Sequence, residues 1–198
     1  MPRPIQFALF QPQVGLNFSI LKERALAAEE YGFHSIWLPD HMWVRGAPQL
    51  DYLESWTVLS GLAAATKKLR LGGLVFCNSY RNPAFFAKML ATLDNISNGR
   101  VEVGMGAGWM DEEYKAYGYE FPSGGVRASQ LREGVEIIKK MFTEEKPSYE
   151  GKYYKITEAY NNPKPVQKPH PPITIGAVAE QKMLKLVAQH ADGWNCPA

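Results

Sequence analysis

Apolar positions along this chain change their period in a regular succession. Ile5, Phe7 and Leu9 alternate with Gln6 and Ala8, a two-residue period that predicts a strand. After Gln11-Pro12 the period lengthens, and Ile20 to Tyr31 reads as a helix opened by Asn17 or Ser19 and closed by Gly32. The pair then recurs, as a strand from His34 to Leu38 that ends at Pro39-Asp40-His41 and an Ala/Leu-rich helix from about Asp51 to Thr66. Leu69 to Phe76 is a near-continuous apolar run, the pattern of a parallel strand covered on both faces. Pro83 opens a helix that carries Phe86, Leu90, Leu93 and Ile96 at helical spacing and stops at Asn98-Gly99.

Val101 to Met105 predicts a fourth strand, followed by glycines at 104, 106 and 108 and a short polar helix near Asp111 to Tyr117. From about residue 110 to 170 the rhythm slackens into an insertion. Within it, Leu131, Val135, Ile138 and Phe142 form one helical stripe, Ser148 to Ile156 reads as a hairpin about Glu150-Gly151, and Tyr160 to Pro172 is a proline-rich crossing segment. Ile173 to Ile175 resumes the strands, a helix follows from Glu180 to Ala191, and Asp192 to Asn195 begins a sixth strand. Repeated βα units specify a mainly parallel sheet, either open and doubly wound or closed as an eight-stranded barrel, and periodicity leaves both available.

Composition narrows the class. At 198 residues, with 45% apolar and 21% charged positions, the chain reads as one globular domain with a real core. Its 22 basic and 20 acidic residues leave +2, which gives no electrostatic reason to expect nucleic acid or a membrane surface, so a small molecule is the expected partner. No apolar stretch reaches the roughly 18 residues a spanning helix needs. Cys77 and Cys196 fall in no metal-ligand spacing, which fits free thiols in a reducing compartment and a cytoplasmic protein without structural zinc.

Several blocks are distinctive in this order: Ala-Ala-Glu-Glu-Tyr-Gly-Phe-His-Ser-Ile-Trp-Leu-Pro-Asp-His at 27–41, Leu-Gly-Gly-Leu-Val-Phe-Cys-Asn-Ser-Tyr-Arg-Asn-Pro at 71–83, Leu-Asp-Asn-Ile-Ser-Asn-Gly-Arg at 93–100, Gly-Met-Gly-Ala-Gly-Trp at 104–109, Pro-Lys-Pro-Val-Gln at 163–167 and Ala-Asp-Gly-Trp-Asn at 191–195. Together they resemble the luciferase-like monooxygenase superfamily, most of all its branch that uses the deazaflavin coenzyme F420, with FMN-dependent monooxygenases as close relatives. The resemblance implies a TIM-like (β/α)8 barrel that holds its cofactor ring at the carboxyl ends of the strands. It also implies that the last two βα units are absent here, since the chain reaches only its sixth strand, and it suggests a homodimer built on helices of the first half.

The same resemblance assigns candidate residues. Asp40 and His41, directly after the second strand, would contact the deazaflavin, with His41 as proton partner and Asp40 orienting the ring. Leu74-Val75 would form a bulge with a non-proline cis peptide behind the ring, and Gly106 and Ala107 would touch the ring or its ribityl chain. Gly176-Ala177-Val178, ahead of a helix, would meet the cofactor phosphate through backbone N–H groups, although an ordinary turn explains the tripeptide as well. Asn78 would meet a polar part of the cofactor or cap the helix at Pro83, while Trp43, Trp109 and Met110 would line the pocket mouth. Trp109 stands where sugar-phosphate dehydrogenases of this group carry an acid, so a more apolar substrate is expected. Gly-Met-Gly-Ala-Gly-Trp lacks the third glycine of a dinucleotide fingerprint, which sets a Rossmann enzyme aside. The leading expectation is hydride transfer with F420. The alternatives are FMN-dependent monooxygenation with dioxygen and a shortened, non-catalytic flavin-binding chain.

Overall fold

The computed structural model describes residues 5–178 and 181–196, so the expected helix start at Glu180 lies outside the described residues. In chain order the first half holds β1 (Ala8–Phe10), α1 (Phe18–Glu30), β2 (Ser35–Leu38), α2 (Ser55–Ala65), β3 (Arg70–Gly73), β4 (Phe76–Cys77) and α3 (Pro83–Ser97). The second half holds β5 (Val101–Gly106), α4 (Asp111–Ala116), α5 (Gly124–Thr143), the hairpin β6 (Tyr149–Glu150) and β7 (Lys155–Ile156), then β8 (Ile173–Gly176), α6 (Gln181–His190) and β9 (Gly193–Asn195). The main sheet runs β1-β2-β3-β5-β8-β9, every neighbouring pair parallel, with β4 added beside β5. Six βα positions of a curled parallel sheet therefore stand in barrel order.

Helix ends follow local chemistry. Asn17 accepts the Ile20 N–H at 3.0 Å and starts α1. Asn82 accepts the Ala84 and Phe85 N–H groups ahead of Pro83, and α3 closes on Asn98 and Gly99, at φ 56° and 81°, in the left-handed region. The start of α2 differs from the expected Asp51, because Glu54 accepts the Trp56 and Thr57 N–H groups and fixes the first turn at Ser55.

The apolar run from Leu69 to Phe76 is not one continuous strand. Gly72 pairs with Glu102, an offset of 30, whereas Phe76 pairs with Met105, an offset of 29. One extra residue is taken up between them as a bulge, and Leu74-Val75 is the expected non-proline cis peptide. Both faces of the run are covered, but by different groups. Ile36, Leu38, Leu71, Val101, Val103, Ile173 and Ile175 are buried in the core shared with Leu21, Leu62, Leu90 and Leu131 of the helices. The alternate positions turn the other way: the Trp37 ring lies over Gly72, where a Cβ would meet it at 2.6 Å, and Arg70 pairs with Glu102.

Below the sheet, at the amino ends of the strands, buried Arg100 donates to the carbonyls of Ala63, Thr66, Leu69 and Ser97. It answers carbonyls at the ends of α2 and α3 and the one that precedes β3. No described helix is long and apolar enough to cross a membrane.

Candidate active site

All parallel strands point their carboxyl ends the same way, and the segments after β2, β4, β5 and β8 meet around one cavity of about 700 Å³. Asp40, His41, Leu74, Val75, Gly106, Ala107, Trp109, Met110, Gly176, Ala177 and Val178 all reach its wall, so eleven sequence-derived candidates converge on one space. Trp43 and Asn78 do not line it. The Trp43 ring instead stacks on Tyr117, with centroids 5.6 Å apart and planes 26° apart. Asn78 is buried in the turn after β4, where its amide donates to the Tyr154 hydroxyl at 3.0 Å and its Oδ1 abuts Gly134 of α5. A position one turn before Pro83 faces the helix packed beneath it, which the sequence spacing did not reveal.

Asp40 is held by its neighbours. Its Oδ1 accepts from the Ser55 hydroxyl at 2.7 Å and Arg81 Nη2 at 2.8 Å, and its Oδ2 from Arg81 Nη1 at 2.7 Å and the Cys77 N–H at 2.9 Å. The paired guanidinium fork is the strong form of this contact. Burial pulls the Arg81 guanidinium down, and the Asp40 bonds outweigh it, so Arg81 stays charged. Asp40 thus ties the β2 loop to the β4 turn and to α2.

His41 reaches the same cavity. Its Nδ1 lies 3.0 Å from Glu113 Oε2 in α4, and Trp109 meets the imidazole edge-on at 5.4 Å and 79°. Arg45, which pairs with Glu112, sits over the outer Trp109 ring at 5.5 Å, so the half-exposed indole is braced from both sides. His41 Nε2 has no hydrogen-bond partner among the described residues.

Glu113 is the site residue that sequence reasoning missed. Its side chain is fully buried, and it accepts from the Met42 N–H at 2.6 Å and the Tyr80 hydroxyl at 2.9 Å as well as facing His41. Burial pushes its carboxyl up, while the His41, Met42 and Tyr80 bonds together hold it below the ordinary carboxylate value. A signal was present: α4 begins Asp-Glu-Glu-Tyr, and helical geometry turns Glu113 and Tyr114 inward together while Asp111 and Glu112 face out. Cys77 also lines the cavity, with Sγ 3.1 Å from the Tyr114 hydroxyl. Burial pushes its thiol up to about 11, which makes it a poor nucleophile at neutral pH.

At the rim, Lys182 Nζ donates to the Gly125 carbonyl at 2.9 Å, and Arg127 lies over Phe121 and donates to the Gly108 carbonyl at 3.3 Å. Two cations thus stand at the rim, near the apolar stretch formed by Leu74, Val75, Ala107 and Ala177.

Known proteins share this fold. The solved structure of an F420-dependent secondary alcohol dehydrogenase with an F420-acetone adduct superposes with a TM-score of 0.87 at 26% identity, covering 97% of this chain and 58% of that one. An F420-dependent glucose-6-phosphate dehydrogenase of Amycolatopsis mediterranei is 31% identical over 180 residues, 89% of this chain and 52% of its own length. An FMNH2-dependent dimethylsulfone monooxygenase of Pseudomonas putida is 31% identical over 189 residues, again 89% of this chain and 52% of its own. The chain therefore spans about half the length of these curated relatives. The model of the luciferase-like monooxygenase family matches residues 6–197, and with the parallel barrel order and the strand-end cavity this places the chain in that family.

Proposed function

We propose that this chain holds the reaction centre of an oxidoreductase that moves a hydride between the deazaflavin F420 and a small organic substrate. The observation that carries the reading is the His41–Glu113 pair beside an apolar wall formed by Leu74, Val75, Ala107 and Ala177. The residues present fit a flat ring system. Val75 seats its side chain against Gly106 and Gly176, where a Cβ would come within 2.4 and 2.8 Å of it, so the two glycines leave room for this wall to lie close against them. The cavity volume lies in the range that takes a cofactor-sized molecule.

When bound, such a group supplies one ring carbon that accepts or donates a hydride. The chain's own residues would do the rest. His41 Nε2 takes the substrate's proton as hydride leaves, or returns it in the opposite direction. Glu113 accepts from Nδ1, Trp109 shields the imidazole, and Asp40 fixes the loop through Arg81. Gly176 to Val178 and Lys182 would meet the phosphate-bearing part. Because Trp109 and Met110 line the substrate side, an uncharged alcohol or carbonyl compound suits it better than a sugar phosphate.

Titration of the 198-residue chain with F420 and, separately, FMN, followed by tryptophan quenching, tests this. Micromolar or tighter saturation by F420 with weaker FMN is the expected result, and His41→Asn should lower the hydride-transfer rate about 10²- to 10⁴-fold at similar F420 affinity. Preference for FMN turns the reading to monooxygenation. Binding of neither overturns a cofactor role for this chain.

A further inference from the structure

We infer that Glu113 is the positioning residue that fixes His41 as its Nδ1–H tautomer, leaving Nε2 as the nitrogen that handles the proton. The inference deepens the hydride-transfer reading and rests on it for the final step alone.

The geometry sets the direction of each bond. Met42 offers a backbone N–H, which can only donate, and it meets Glu113 Oε1 at 2.6 Å. Tyr80 lies 2.9 Å from Oε2, and because burial and the neighbouring carboxylate push its phenol up, its hydroxyl keeps its proton and donates. A fully buried carboxylate receiving both of these is stabilised in its ionised, acceptor-only form. The third contact, from His41 Nδ1 at 3.0 Å, must then be a donation from the ring. A neutral imidazole has one N–H, so Nε2 is left as the acceptor, without a partner among the described residues.

This has a sharp consequence for the isosteric amide. In Glu113→Gln the Met42 N–H still requires an oxygen, which puts the side-chain NH2 where Oε2 was. That NH2 donates to His41 Nδ1, and the proton of the ring moves to Nε2. Shape is retained while the tautomer inverts, an outcome that loss of mere packing would not produce.

Long-range proton–nitrogen correlation spectra of the ligand-free 198-residue chain, labelled with ¹⁵N-histidine and recorded near pH 8.5, read this directly. The four histidines are separated by assigning His41 from the signals lost in His41→Asn. The wild type should show the protonated-nitrogen signal at Nδ1, Tyr80→Phe should keep it there, and in Glu113→Gln the two nitrogen signals should exchange identities. An Nε2–H or averaged pattern in the wild type overturns the inference, as does an unchanged Nδ1–H pattern in folded Glu113→Gln. If that variant does not fold by circular dichroism, the wild-type and Tyr80→Phe patterns decide. The spectra need no cofactor, so failure of F420 and FMN to bind sinks the proposed function and leaves this test standing.

Discussion

Glu113 keeps its charge in a place with no solvent, and that has a cost in acid. Burial acts against its charge, but the bonds from His41, Met42 and Tyr80 hold its folded-state pKa below the value near 4.3 of an unfolded chain. The stabilisation is therefore complete above about pH 4.3 and is lost as pH falls through the folded value, where the native state must also take the proton. Urea midpoints measured from pH 7 down to about pH 3.5 should fall more steeply in the wild type than in Glu113→Gln, which has nothing to protonate there. Equal slopes would mean that another carboxylate governs the acid limb. Asp40 and His41 both reach the cavity, but Asp40 is locked by its fork to Arg81, whereas His41 keeps Nε2 without a partner among the described residues.

At the scale of elements, the strands dictate where side chains are forbidden. A Cβ on Gly104 would stand 2.0 Å from the Gly73 carbonyl, a backbone atom that cannot step aside, whereas a Cβ on Gly106 would meet the movable Val75 methyl. Gly104→Ala should cost more than the ~1–3 kcal/mol typical of overpacking, and Gly106→Ala no more than that while weakening cofactor binding by displacing Val75. Chemical denaturation and the F420 titration separate the two. The order of βα units was legible from period changes, and the start of α3 from Pro83, while its Asn82 cap emerged only in the structure. The break in the run from Leu69 to Phe76 was not legible from hydropathy, because Leu74 and Val75 are as apolar as their neighbours, and only the family resemblance marked it. Where Trp43 and Asn78 point was not legible for a related reason: following a strand end does not say which way a side chain turns. Glu113 was overlooked because an acidic residue in a short polar helix ordinarily faces water.

For the whole molecule, the cavity draws on loops from residue 40 to residue 195, so a ligand filling it links most of the chain. Binding of F420 at a hundred times its dissociation constant should stabilise the native state by about 2.7 kcal/mol. For a chain of this size that raises the melting temperature by roughly 5–10 °C, readable by differential scanning fluorimetry, and FMN should do less at equal concentration. An unmoved transition would speak against a cofactor held by this domain. The opposite end of the sheet does a different kind of work. Arg100 touches no carboxylate within bonding distance among the described residues; it reaches four backbone carbonyls that face different ways. A lysine there would keep the charge but concentrate its donors at one point, leaving some of these carbonyls unanswered. The foundation of this half-barrel therefore depends on the directions in which one side chain can point, and no change of salt or pH would substitute for them.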